Sequence, residues 1–146
     1  MSDEIIYPYS TNGLSTKGQQ IPDIPVVHLS IKREDKNYSV AGQALVDTGF
    51  DGGLYPNLMI IEYLEGLKPT KIEELESVGG SITCEMFRVI ASFVDLETQG
   101  TIKTIGEINI YVPISPEALS DEVILGREVL NTLNIKLNGK RISIIT

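Results

Sequence analysis

The residues best suited to chemistry lie in one stretch, Ala44-Leu45-Val46-Asp47-Thr48-Gly49-Phe50-Asp51-Gly52-Gly53-Leu54-Tyr55-Pro56, where an apolar run ends in an acid, a hydroxyl and a glycine. A strand that stops this way delivers a carboxylate to a bend. The glycine behind it lets the backbone turn and approach a ligand closely, and Gly52 and Gly53 extend that freedom. About one chain in thirty of this length would contain Asp-Thr-Gly by chance, so the tripeptide alone says no more than surface turn. A second stretch, Val123-Ile124-Leu125-Gly126-Arg127-Glu128-Val129-Leu130, joins another apolar strand to a glycine and a short amphipathic helix.

Together the two blocks resemble those of the retropepsin-like aspartic proteases, the retroviral enzymes and their cellular relatives. In that family apolar-apolar-Asp-Thr-Gly is followed well downstream by apolar-apolar-Gly-Arg and a helix. Leu45 to Gly49 and Ile124 to Arg127 match both blocks in order, and the resemblance covers residues 26–137. It implies an all-β acid-protease barrel with two short helices, acting as an endopeptidase without metal or cofactor. Water is activated between two carboxylates: one draws its proton while the protonated partner donates to the scissile carbonyl. This chain offers one Asp-Thr-Gly and no acid directly before Gly126. A homodimer with Asp47 from each copy across a two-fold axis supplies the second acid.

The resemblance also assigns supporting roles. Thr48 would hydrogen-bond across the dimer axis, and Gly49 would present backbone to a peptide or protein substrate. Asp51 and Arg127 would form a charge-assisted pair behind the loop, next to Gly126. If that pair is partly buried, removing one partner costs about 3–5 kcal/mol. Phe50 departs from the small residue usual in the family, and its ring either narrows the cleft or turns into the core. Val78, Gly79 and Gly80 would form the tip of a hairpin that closes over the substrate. Two rival readings use the same residues. One is a catalytically inactive dimeric peptide-binding module of the same fold. The other takes Asp-Thr-Gly with its following glycines as a phosphate-binding loop, but the folds that use such a loop need two large domains.

The elements that must position these residues are short. A chain of 146 residues has room for one ordinary domain. Residues 1–25, with Pro8, Gly13, Gly18, Pro22 and Pro25, read as an irregular arm with at most one short edge strand, and 26–146 as the protease-like domain. Val27, Leu29 and Ile31 alternate with His28 and Ser30, which makes a half-buried strand and puts His28 on the solvated side. The charged run 33–36 reads as a hairpin loop, and 38–46 as the strand that ends at Asp47. Pro56 suits a helix's first turn, with Leu58, Ile61 and Leu64 or Glu65 on one face before Gly66 and Pro69 stop it. Segments 70–78 and 81–96 form a hairpin around Gly79-Gly80, and 102–112 and 123–125 read as further strands. A helix over 128–133 precedes a terminal hairpin turning at Asn138-Gly139. Many short strands and two short helices make the chain all-β and barrel-like.

Composition narrows the partners. Twenty acidic against twelve basic residues leave a net charge of −8, and no dense Lys or Arg run offsets it, which argues against nucleic acid. No apolar run approaches bilayer length and the opening Ser2-Asp3-Glu4 lacks a basic, apolar leader, so the expectation is a cytoplasmic protein without membrane contact. Cys84 is the one cysteine and His28 the one histidine, too few for a zinc site of the usual type. Cys84 sits in an alternating run and is expected as a buried thiol.

Overall fold

The alternation at 26–32 puts Val27, Leu29 and Ile31 on one face of an extended segment. In the computed structural model that segment is one wall of a closed sheet. The structure describes residues 4–11, 22–77 and 80–146. The strands are β1 (Glu4–Pro8), β2 (Val26–Lys32), β3 (Ser39–Val46), β4 (Leu54–Tyr55), β5 (Lys71–Ser77), β6 (Gly80–Val94), β7 (Thr101–Pro113), β8 (Ile124–Leu125), β9 (Asn134–Leu137) and β10 (Arg141–Ile145). The helices are α1 (Leu58–Tyr63) and α2 (Arg127–Leu130), with a single 3-10 turn at Pro116–Ala118. The fold is predominantly β, in two sheets. None of the described helices is long and apolar enough to cross a membrane.

The larger sheet runs β2-β3-β8-β4-β7-β6-β5, and a further β2–β6 pairing joins its ends into a ring that leaves only β5 outside. Closure requires the long β6 to serve β5, β7 and β2 along its length, so it must bend. The bend sits at a register shift between Ala91 and Ser92. Ala91 faces Gly106 and Ser92 faces Thr104, which leaves Ile105 as the extra residue of a bulge. Gly106 has φ +120, a conformation that a side chain would resist.

The smaller sheet, β1-β10-β9, lies against the barrel. Its inward residues Ile5, Tyr7, Ile142 and Ile144 join Val27, Leu29, Phe93, Ile110 and Leu125 in one core. Of the 1–25 segment, then, Glu4–Pro8 is a regular edge strand with two core side chains. It pairs with β10 of its own chain, Tyr7 opposite Ile142. The Tyr7 hydroxyl donates to Val94 O at 2.7 Å, and burial pushes its pKa up to about 12.

His28 is not on an open face. It is half-buried, with the Tyr7 ring centred 5.2 Å from its own. Desolvation lowers its pKa from the ordinary 6.5. The unfolded chain therefore holds this proton more tightly than the folded one. The stability contribution is complete above 6.5 and is lost as pH falls through the window below it. The melting temperature should fall between about pH 7 and pH 5, and less steeply in His28→Gln. An identical slope in the variant would assign the effect to other groups.

Two further expectations are corrected. In α1 the inward residues are Ile60 and Tyr63, followed by Leu64, whereas Leu58 is 59% exposed. Pro56 precedes the helix, and Asn57 caps it through Oδ1 accepting from Ile60 N at 3.1 Å. The helix's rotation is set from outside by Arg33, which lies in the expected β2–β3 hairpin loop yet is only 3% exposed. Arg33 N donates to the Tyr63 hydroxyl, its Nη1 donates to the carbonyls of Tyr63 and Glu65, and Nε and Nη2 hold Asp35. One guanidinium thus satisfies the open carbonyl end of a six-residue helix. Arg33→Met should cost about 2 kcal/mol by stranding those acceptors, measured by urea unfolding. Asp35→Ala, at the exposed end of the cluster, should cost less; the reverse order would refute the clamp.

The last correction is the terminal turn. Asn138 N donates to Arg141 O, which makes Gly139 and Lys140 the central residues, with Gly139 at φ +90. The turn is displaced by one residue because Asn138 Oδ1 accepts from the backbone N–H groups of Lys140 and Arg141.

Candidate functional site

The end of β3 lies between two neighbours. Val46 N donates to Pro25 O on one side, while Leu45 N and Asp47 N donate to Val123 O and Leu125 O on the other. Leu45 and Val46 run parallel to Ile124 and Leu125 of β8. Asp47 therefore leaves the sheet from a strand end fixed on both edges. Its side chain is half-buried, and Thr48 and Gly49 beyond it are exposed. Gly49 N donates to Asp47 Oδ1 at 2.9 Å, and Phe50 N donates to Asp47 O at 3.2 Å, closing the bend. A Cβ on Gly49 would sit 3.2 Å from that carboxylate oxygen, so the small residue leaves the acid open.

Behind the bend, residues 50–53 are fastened to the start of α2 by three consecutive amides. Gly126 N donates to Gly53 O (2.8 Å), Arg127 N to Phe50 O (2.8 Å) and Glu128 N to Gly52 O (3.2 Å). Such closeness explains the glycines better than conformational freedom does. None of Gly49, Gly52, Gly53 and Gly126 has a positive φ. A Cβ on Gly53 would stand 2.5 Å from Asn109 O, and one on Gly126 would stand 2.6 Å from Phe50 O.

Asp51 and Arg127 meet as an ion pair through Oδ1 and Nη2. Both side chains are about half exposed, at 51% and 49%, so solvent screens the pair and its contribution is nearer about 1 kcal/mol than the value for a buried one. The three backbone bonds carry more of the loop's fixation.

Phe50 takes the inward option. Its ring packs with Tyr55 at 5.8 Å, edge to face, beside Leu75, Cys84, Met86, Tyr111, Ile82 and Ile124. It belongs to an apolar cluster between the Asp47 loop and the β5–β6 hairpin. That hairpin closes with Ser77 opposite Gly80, so Gly80 begins a strand. Val78 and Gly79 lie outside the described residues. Cys84 is fully buried in the same cluster, and burial pushes its thiol up to about 11.

Sequence reasoning overlooks one group at the site. Glu128 accepts from Asn109 Nδ2 through Oε1 and from the Tyr111 hydroxyl through Oε2, both at 2.6 Å. Burial and the adjacent carboxylate hold the Tyr111 hydroxyl far above its usual range. The signal is faint, because an acid after Arg127 reads as ordinary helix surface and Asn109 and Tyr111 as strand residues. The i, i+2 spacing of those two on one strand face is the only hint.

The arrangement presents a half-buried carboxylate at a rigid strand end, with backbone fixed on both sides and an apolar hairpin surface beside it. No protein-family model matches the chain, and no curated protein matches it.

Proposed function

We propose that this chain is a retropepsin-like aspartic endopeptidase, active as a homodimer with Asp47 from each protomer as the catalytic pair. The observation that carries the reading is the delivery of Asp47. A strand end held between β2 and β8 leads into Asp-Thr-Gly, and Arg127 at the start of α2 reaches back to Asp51. This is the juxtaposition of two distant sequence blocks that the family resemblance implies.

In the mechanism, one Asp47 carboxylate takes a proton from the attacking water, and the protonated partner donates to the scissile carbonyl oxygen. Gly49 leaves backbone bare next to the acid for an extended substrate. The β5–β6 hairpin serves as the flap, its inner residues Leu75 and Ile82 facing the cluster that holds Phe50. Substrates are peptides or proteins, and a lone buried Cys84 suits a reducing compartment such as the cytoplasm.

The test is a diverse peptide library incubated with the full chain across acidic to neutral pH and read by mass spectrometry. Internal cleavage at a restricted set of sequences is expected. Peptides bound but never cut would replace this reading with the inactive binding module.

A further inference from the structure

We propose that Glu128 is a positioning residue for the Asp47 loop, acting through Tyr111 and Asn109 and independently of the Asp51–Arg127 pair. The inference rests on the reading of that loop as catalytic.

α2 has four residues, too few to hold its own geometry, yet its first amides are what fasten residues 50–53. Something must fix the helix. Val129 and Leu130 anchor its inner side in the core. On the outer side the Asp51–Arg127 pair is half exposed and ties one surface side chain to another. Glu128 is tied to something firmer. β7 lies between β4 and β6, and within it Asn109 faces Arg88 and Tyr111 faces Met86 in register. Tyr111 is 6% exposed. Each carboxylate oxygen takes one short bond from this strand, and hydrogen bonds to an ionised acceptor are about twice as strong as neutral ones.

The same strand also walls the loop. The Tyr111 ring would stand 3.0 Å from a Cβ on Gly52, while Asn109 O and Glu128 Oε1 would stand 2.5 and 3.3 Å from one on Gly53. Glu128 thus bridges α2 to β7 directly over the glycines, and its own N–H holds Gly52 O. Among the described residues, Asn109 Oδ1 is buried and has no hydrogen-bond partner. Turning the amide over would aim that oxygen at the carboxylate, so Glu128 dictates an orientation that leaves the oxygen unsatisfied.

The experiment compares the full chain with Glu128→Ala, Tyr111→Phe and the double variant, reading both cleavage kinetics and amide hydrogen exchange. Each single variant should lower kcat by about 10-fold with a smaller change in KM, because the acid rides on the displaced loop while the contacts made by the β5–β6 hairpin stay in place. The double variant should be no worse than Glu128→Ala, as expected when two groups act through one bond. Exchange at the amides of positions 49, 50 and 128 should quicken by about 10-fold while the amides of β6 stay protected. Unchanged exchange at the loop, or an equal rise throughout β6 and β7, would overturn the proposal by making Glu128 idle or merely structural. If the wild-type chain cleaves nothing, the endopeptidase reading fails, and the exchange pattern still decides whether Glu128 positions the loop.

Discussion

Asp47→Asn is expected to reduce peptide cleavage by at least about 10³-fold while leaving the fold and the dimer in place. The amide keeps Oδ1, so it can still accept from Gly49 N, the bond that closes the bend. It has no proton to exchange with water at the pH values where a carboxyl pair works, which removes the acid and the base together. The side chain is half-buried, and among the described residues no cation pairs with it, so the change strands no buried partner. Melting within about 2 °C of the parent, a shift worth less than 1 kcal/mol for a chain of this size, should accompany the loss of kcat/KM. A variant that melts like the parent and still cuts would place the chemistry elsewhere.

Gly126→Ala should have the largest effect on stability. The added methyl would enter the space between Gly52 O, Phe50 O and the Phe50 ring. Those carbonyls cannot retreat cheaply, because Glu128 N and Arg127 N are bonded to them. Overpacking of this kind costs about 1–3 kcal/mol, and the upper end applies where backbone rather than a flexible side chain must move. Gly42 is the control: among the described residues a Cβ there meets nothing within 4 Å, its φ is not positive, and alanine should stabilise by about 0.4–1 kcal/mol. Urea midpoints moving in opposite directions are expected. Equal midpoints would mean that the loop and α2 are not packed as described. Activity should fall with Gly126→Ala and not with Gly42→Ala.

The strands were legible wherever one face is buried. Val27, Leu29 and Ile31 mark β2, and the glycines near 80 and 139 mark two of the hairpins, because period-2 patterning and turn residues act locally. The blocks around Asp47 and Gly126 were legible as strand ends, and their contact followed from the family resemblance rather than from either block. What stayed hidden depends on distant partners. Arg33 sits in a charged run and reads as solvated, yet the carbonyls it satisfies lie 30 and 32 residues away. The rotation of α1 is fixed by Tyr63 meeting Arg33 and Tyr38, which no periodicity within six residues can reveal. Glu128 is hidden for the same reason. Phe50 is the instructive departure: its ring fills the space beside Gly52 and Gly126, so the bulky residue and the glycines are one packing solution.

The measurement that tests the central claim most directly mixes wild type with Asp47→Asn at fixed total concentration, after subunit exchange confirmed by mass-tagged chains. One chain supplies one Asp-Thr-Gly, so a heterodimer holds one carboxylate and one amide and cannot perform the paired steps. If the variant pairs as well as the parent, activity falls as the square of the wild-type fraction, to about one quarter in an equal mixture. A site contained within one chain would retain about one half. A quadratic curve is the predicted result; a linear one, with exchange shown to be complete, would contradict the shared site and the dimeric mechanism with it.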